Sequence, residues 1–125
     1  MITVIFVGLG GFLGTCVRYI LTKAFGIVLP GFPFGTLLSN VLAGFFIGFI
    51  IGMERQASSL PGRTKLFLTS GLLGGLSTFS TFSMETIAML EGGKYLCAGA
   101  NTLLNVGLSL LCVLAGLWLA KMLKA

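Results

Sequence analysis

The stretch 71–83 contains the residues of this sequence whose types and spacing could do chemistry. It reads GLLGGLSTFSTFS, so that three glycines are followed by five hydroxyl residues within seven positions. Hydroxyl groups donate and accept hydrogen bonds, and glycine and hydroxyl residues both weaken a helix. The pattern predicts a break near 74–78. An unbroken helix, whose hydroxyls bond to the carbonyl one turn earlier, fits the spacing equally well.

The residues after this predicted break form a lined face. On a helix of about 3.6 residues per turn, polar side chains fall on two sides of a phenylalanine pair: Thr81 with Glu85, Ser80 with Ser83, and Phe79 with Phe82 between them. Phenylalanines that face lipid are not normally flanked by hydroxyls on both sides. Since aromatic rings have a positive edge, the pattern favours a path along which rings and hydroxyls can face an anion.

Other polar residues lie at a similar depth in the remaining apolar segments. Asn40, Asn101, Asn105 and Ser109 can form hydrogen bonds between helices, which is their ordinary role in membrane bundles. Arg18 either extends to the lipid headgroups, the commoner outcome, or faces a wet cavity and attracts anions; Glu85 has the same two readings. An ion path must replace the water that the ion loses. These residues allow a narrow anion route without identifying the ion.

The elements that must position these residues are membrane-spanning helices. Apolar residues make up 56% of the 125 residues and charged residues 9%, with a mean hydropathy of +1.07, more apolar surface than a soluble domain of this size can bury. A spanning helix needs about 20 mostly apolar residues, and four runs carry no charge: 1–17, 24–53, 66–84 and 95–120. We predict an all-α membrane protein, one transmembrane domain over 1–125 with helices at about 2–22, 34–53, 66–90 and 95–122.

Glycine spacing predicts how these helices pack. Steps of four residues occur in three of them: Gly10 with Gly14, Gly44 with Gly48 and Gly52, and Gly71 with Gly75. Small residues at this spacing let helix backbones approach closely in lipid. We expect close packing within one chain and also between chains, because four short helices have little room to enclose a path.

Several classes of protein are disfavoured by what the sequence lacks. It has no His, no paired carboxylates and no nucleophile with a base to activate it, so we expect no enzyme. The eight basic residues are scattered at segment ends, which argues against a nucleic-acid interface despite a net charge of +5. Cys16, Cys97 and Cys112 lie inside apolar segments without CxxC spacing, as structural thiols do.

The motif GGLSTFSTFS at 74–83 resembles the signature of the small bacterial fluoride channels, the Fluc or CrcB family. Two further groups are similar to that family: GG at 10–11 with Gly14 and Arg18, and GTL at 35–37 before Asn40. The resemblance implies a fluoride-selective channel for passive export of fluoride from the cytoplasm, a multi-pass protein of the cell (inner) membrane. It also implies an antiparallel homodimer with two pores, and fluoride, sodium, lipid and a second copy as partners.

The resemblance assigns roles to individual residues. It implies a pore lined by nine side chains: Phe79, Phe82, Ser80, Thr81, Ser83, Asn40, Ser109, Arg18 and Glu85. It further implies a structural sodium ion (Na+) at the dimer centre, held by the backbone carbonyls of Gly74 and Ser77. Threonine is usual in the family at the position of Ser77, a departure of little consequence for a carbonyl ligand.

The distribution of Lys and Arg predicts dual topology. One side of the membrane receives five basic residues, Arg55, Arg63, Lys65, Lys121 and Lys124, and the other receives three, Arg18, Lys23 and Lys94. Because loop charges set orientation, so small a bias allows insertion either way, although a single orientation with five charges inside stays open.

A small proton-coupled multidrug exporter is the main alternative function. Such a transporter needs a membrane-embedded carboxylate in its first helix, where this chain has Arg18 and no acidic residue. A membrane subunit that transports nothing is a second alternative, and it predicts no ion flux in liposomes.

Overall fold

The computed structural model describes residues 1–56 and 60–124, and the described part is helical throughout its length apart from short connections. Residues 57–59 of the predicted connection between the second and third helices lie outside it. The elements in order are α1 (Ile2–Val28), α2 (Phe34–Arg55), α3 (Gly62–Leu66), a π-helical stretch (Phe67–Leu73), α4 (Gly74–Leu76), α5 (Phe79–Glu91) and α6 (Tyr95–Lys124). The first helix extends beyond the predicted end at residue 22 to Val28, because the stretch after Lys23 is apolar again and no proline interrupts it before Pro30.

The predicted four-helix arrangement is present, with its third helix divided. Three of the described helices are long and apolar enough to cross a membrane: Ile2–Val28, Phe34–Arg55 and Tyr95–Leu123. The third segment, 62–91, consists of α3, the π-helical stretch, α4 and α5, and no single piece of it has that length. The turn from α5 to α6 is tight, and Gly93 adopts a φ of 77° there, a conformation that favours glycine.

Glycines allow the helices to touch backbone to backbone. The most extensive helix contact joins α2 and α6, where a Cβ added at Gly44 would lie 2.8 Å from the Ser109 carbonyl oxygen. On α1, a Cβ at Gly10 or Gly14 would collide with the backbone of the π-helical stretch. The predicted close packing within the chain is therefore confirmed, and it presses α1 against the third segment and α2 against α6.

The outer surface of the bundle is strongly apolar. Ile20 on α1, Leu103 on α6 and Met84 on α5 are among many large apolar side chains that stay exposed. The buried apolar core is small by comparison, with Ala43, Leu73 and Leu76 at its centre. An exposed apolar surface of this extent marks contact with lipid or with another protein chain.

Candidate functional site

The third segment breaks at two residues in extended conformation. Ser77 has φ −76° and ψ 153°, and Thr78 has φ −153° and ψ 120°, whereas Gly74–Leu76 is still helical. The predicted break is thus present, at the C-terminal end of the predicted range. Thr78 then restarts the helix as an N-cap, because its hydroxyl oxygen accepts from the Thr81 N–H at 3.2 Å.

The side-chain amide of Asn40 on α2 replaces hydrogen bonds that the break removes. Its Oδ1 accepts from the Thr78 N–H at 2.7 Å, and its Nδ2 donates to the Thr78 carbonyl at 3.2 Å. The Asn40 amide therefore pairs with both backbone groups of Thr78, its oxygen with the N–H and its nitrogen with the carbonyl. Unpaired backbone groups are not tolerated in a dry membrane interior, so Asn40 stabilises the break.

Arg18 lies against the same break from α1. Its Nε donates to the Gly75 carbonyl at 3.0 Å, and the side chain is half-buried. This carbonyl belongs to the last turn before the break, where cations bind favourably. The sequence interpretation left Arg18 either in the pore or at the headgroups, and the structure gives its guanidinium a carbonyl of the broken helix as partner.

The backbone carbonyls predicted to hold a cation are released from ordinary helix bonding. In an unbroken helix the Thr78 N–H would donate to the Gly74 carbonyl, but here it donates to Asn40 instead. Among the described residues, the Gly74 carbonyl accepts only a long 3.5 Å bond from the Ser77 hydroxyl. The Thr81 N–H, which would bond Ser77, donates to the Thr78 hydroxyl. Gly74 and Ser77 therefore present carbonyl oxygens with free hydrogen-bonding capacity.

Phe79 and Phe82 form an edge-on pair in the first turns after the break. Their ring centroids lie 5.5 Å apart, with an angle of 60° between the ring planes. Phe82 is buried at 7% exposure, whereas Phe79 is 76% exposed. One ring is thus part of the interior of the chain and the other projects away from it.

A cavity of about 400 Å³ lies beside these rings. It gathers both phenylalanines, the extended residues and polar groups of α2 and α6, including Asn40, Ser77, Thr78, Asn105 and Ser109. Within the described residues, the Ser109 hydroxyl oxygen is buried without a hydrogen-bond partner. Other helix hydroxyls, such as Ser39 and Thr102, donate to the carbonyl one turn earlier, so Ser109 keeps a donor for an occupant of the cavity.

A second cavity of about 400 Å³ lies under the α1–α2 connection and contains Glu85 and Thr36. The fully buried Thr36 hydroxyl donates to Glu85 Oε1 at 2.6 Å. Glu85 Oε2 is buried without a partner among the described residues. Glu85 therefore lies inside the protein at a different cavity from Asn40 and Ser109.

The remaining predicted pore hydroxyls form local contacts. Thr81 Oγ1 accepts from the Thr78 hydroxyl at 3.1 Å, Ser80 Oγ lies 3.4 Å from that same hydroxyl, and Ser83 Oγ donates to the Phe79 carbonyl at 2.9 Å. None of these three residues is among the described residues that line the two cavities.

Polar residues lie behind the site, and the predicted hydrogen bonding of Asn101 and Asn105 between helices is confirmed, whereas sequence reasoning missed Thr86. Asn101 and Asn105 on α6 are 0% and 5% exposed, and they bond to Thr86 and Asn40 respectively. Their spacing of four residues was a usable signal, because it places both on one face of a helix. The partner Thr86, on the other side of the α5–α6 turn, could not be inferred from that spacing.

Comparison with known proteins gives one consistent result. Residues 5–117 match the family described as CrcB-like protein, Camphor Resistance (CrcB). A protein of Clostridium novyi named fluoride-specific ion channel FluC is 45% identical over 122 residues, covering 97% of this chain and 95% of that protein. Proteins of the same name from Clostridium perfringens and Geobacter metallireducens are 45% and 40% identical, over 98% and 97% of this chain and 97% and 98% of their own lengths.

Proposed function

The chain belongs to the CrcB-like family, and from this premise we propose that it is a fluoride-selective channel of the cell membrane. It is a multi-pass membrane protein, and three helices of its described part are long enough to span. The nearly full-length similarity to proteins named as fluoride channels supports the choice of ion. The transport is passive: hydrogen fluoride crosses the membrane as a neutral acid, releases fluoride in the more alkaline cytoplasm, and the channel lets that anion leave.

The observation that best supports this function is the Ser109 hydroxyl at the cavity beside Phe79 and Phe82, which finds no partner among the residues that the structure describes. A small anion that leaves water needs hydrogen-bond donors in its place. A buried hydroxyl without a partner is costly, and its donation to a passing anion would remove that cost. The edges of the two rings add a weakly positive wall, so we place Asn40, Ser109, Phe79 and Phe82 on the ion path.

The hydroxyls of Ser80, Thr81 and Ser83 extend the proposed path, with Glu85 further along α5. Each of these hydroxyls already has a neighbour within its own helix. Ser83 donates to the Phe79 carbonyl and can turn toward an ion with a single χ1 rotation. Thr81 accepts from the Thr78 hydroxyl, so its own proton would stay available to the ion. Arg18 would contribute its positive charge from the side of the break.

A second, antiparallel copy would complete the pore. Phe79 projects outward at 76% exposure, and one chain leaves the phenylalanine cavity partly open. A homodimer of opposite orientation would cover the exposed ring and repeat each site, which gives two pores. The weak bias of basic residues, five on one side and three on the other, is compatible with insertion in both orientations.

The carbonyls of Gly74 and Ser77 fit a structural sodium ion. Their oxygens are neutral and hard, and the break releases both from helix bonding. Two oxygens from each copy would coordinate the ion, and this coordination would offset the cost of burying the four carbonyls. The ion would supply a fixed positive centre between the subunits, and the chain's own contribution is to present the two carbonyls.

The test is an efflux assay with purified protein in liposomes, read with a fluoride electrode. Fluoride should leave the vesicles rapidly, while vesicles loaded with chloride should retain it. Equal release of both ions, or no release of either, would refute the proposed function. Proton-driven uptake of a cationic dye without fluoride flux would support the exporter alternative instead.

A further inference from the structure

A chain of hydrogen bonds starts at the extended residue Thr78 and crosses to α6. The Thr78 N–H donates to Asn40 Oδ1 at 2.7 Å, and Asn40 Nδ2 donates to Asn105 Oδ1 at 2.8 Å. Asn105 Nδ2 then donates to Asn101 Oδ1 at 2.9 Å, one turn back along α6. Three amides from two helices thus follow one another without interruption.

The same chain continues from α6 back to the segment where it began. Asn101 Nδ2 donates to Thr86 Oγ1 at 2.9 Å. Thr86 Oγ1 donates in turn to the Phe82 carbonyl at 2.8 Å. The chain therefore joins the backbones of Thr78 and Phe82, four residues apart, by way of α2 and α6. We call its four side chains, Asn40, Asn105, Asn101 and Thr86, the amide relay.

The direction of every bond in the amide relay is set by its two ends. A backbone N–H can only donate and a carbonyl can only accept. The Thr78 N–H must therefore pair with the oxygen of the Asn40 amide, and this leaves the Asn40 nitrogen to donate to Asn105. In the same way, each following amide accepts through its oxygen and donates through its nitrogen, as far as the Thr86 hydroxyl. Five donors point the same way, an arrangement in which each bond polarises and strengthens the next.

The relay is complete, its two α6 amides are buried, and Asn40 and Thr86 are half-buried. Asn101 is 0% and Asn105 is 5% exposed, and a buried amide is stable only when its donors and acceptors are paired. Among the described residues, Glu85 and Ser109 have buried side-chain oxygens without a partner, and no relay member does. Loss of one member would leave its neighbours unpaired, so the effect of a single change spreads along the relay.

We propose that the amide relay holds the turn 78–82 in place, so that Asn101, Asn105 and Thr86 are positioning residues for the ring of Phe82. This turn contains both phenylalanines, and the relay fixes it at its first and last residue. Hydrogen bonds that serve only to join helices would not need to end at both Thr78 and Phe82, as those of the relay do. The expected effect of the relay on ion flux rests on the proposed function, whereas its expected effect on the turn 78–82 rests on the geometry alone.

Variants at Thr86 test the relay with little change in shape. Thr86→Val removes the hydroxyl, and Thr86→Ser restores it. Thr102→Val is the matched control, because the Thr102 hydroxyl donates only to Ala98 one turn earlier and the residue is exposed. Each full-length variant is compared with the wild type by amide hydrogen exchange over 77–83, by gel filtration and by fluoride efflux.

We expect Thr86→Val to accelerate exchange over 77–83 by roughly three- to tenfold, the factor to which one net hydrogen bond corresponds. Fluoride efflux should fall by a similar factor, while Thr86→Ser and Thr102→Val stay within about twofold of the wild type. Equal exchange in the Val and Ser variants, or equal acceleration by Thr102→Val, would overturn the relay. If the wild type passes no fluoride, the proposed function fails, while the exchange comparison still decides the relay.

Asn105→Asp provides a second and independent test. A carboxylate keeps the size of the amide but has no donor for Asn101 Oδ1, so the directional chain is interrupted in its middle. Exchange over 77–83, more than one turn away on another segment, should accelerate at least as much as in Thr86→Val. Acceleration confined to the region around residue 105 would contradict the proposal.

Discussion

Arg18 and Gly75, 57 residues apart in the sequence, are joined by a 3.0 Å hydrogen bond from the guanidinium Nε to the backbone carbonyl. The bond links α1 to the last turn before the break in the third segment. Asn40 approaches the other side of the break from α2 and bonds Thr78, so the break is held at Gly75 and at Thr78 from two different helices. A charged side chain at membrane depth thus has a backbone partner.

Removal of the Arg18 side chain should destabilise the protein. Arg18→Met would leave the half-buried Gly75 carbonyl without its donor, and an unsatisfied group of this kind costs up to about 1–3 kcal/mol. Arg18→Lys keeps a charge and one donor, and it should recover part of the loss. Thermal unfolding in detergent measures the effect, and Lys23→Met on the same helix is the control, since Lys23 is exposed and its ammonium lies over the exposed ring of Tyr19. A larger loss in the control would contradict the role of Arg18.

Ser109 should affect ion flux and stability in opposite directions. Ser109→Ala removes a buried hydroxyl that has no partner within the described part of the chain, so the free energy of unfolding should stay equal or rise. If the hydroxyl donates to fluoride, the loss of one hydrogen bond to a charged group, about 1.5–3 kcal/mol, should lower flux tenfold or more. Efflux and thermal unfolding of the same preparation provide both values. A stable variant with wild-type flux would remove Ser109 from the ion path.

The phenylalanine pair should be required for flux. Phe79→Ile and Phe82→Ile keep an apolar side chain and remove the ring edge, which contributes about 0.5–1.5 kcal/mol in favourable geometry. We expect flux to fall about tenfold in each, the factor that corresponds to about 1.4 kcal/mol. Phe46→Ile, at an exposed aromatic of α2, is the control. Unchanged efflux in both variants would refute the assignment.

Two glycine substitutions should have opposite effects on stability. Gly48→Ala places a Cβ 3.0 Å from the Val113 Cα and closer still to its carbonyl, and such overpacking costs about 1–3 kcal/mol. Gly99→Ala meets no atom within 4 Å, so its better helix propensity should stabilise α6 by up to about 1 kcal/mol. Thermal unfolding compares the two. Equal midpoints would show that α2 and α6 are not in tight contact.

Reporter fusions at the C-terminus should detect both orientations. The difference of two between five and three basic residues is a weak orienting signal, so cytoplasmic and periplasmic reporters should give comparable signals. A pair of lysines added to one connection should lock a single orientation and abolish flux, and co-expression with an oppositely locked chain should restore it. A wild-type C-terminus found on one side only would exclude the antiparallel dimer.

Local patterns in the sequence predicted the helices, the glycine contacts and the break, because apolar length, small-residue spacing and weak helix formers act within a few turns. The partners of Arg18 and Thr86 were beyond such reasoning. Arg18 finds its carbonyl 57 residues away, and Thr86 meets Asn101 across the α5–α6 turn. These contacts depend on how α1 and α6 pack against the third segment, which no single segment encodes. For the same reason, Glu85 and Ser109 could not be assigned to two different cavities.

The break also has a consequence for how the protein is made. A ribosome delivers 62–91 to the insertion machinery before residues 101–105, so the extended residues arrive there before the amides of α6 have been synthesised. Asn40 and Arg18 are already present by then, and they can satisfy Thr78 and Gly75, but the Asn40 nitrogen still awaits Asn105. We therefore expect the third segment to stay close to the insertion machinery until α6 emerges, and the two to enter the bilayer together as a hairpin.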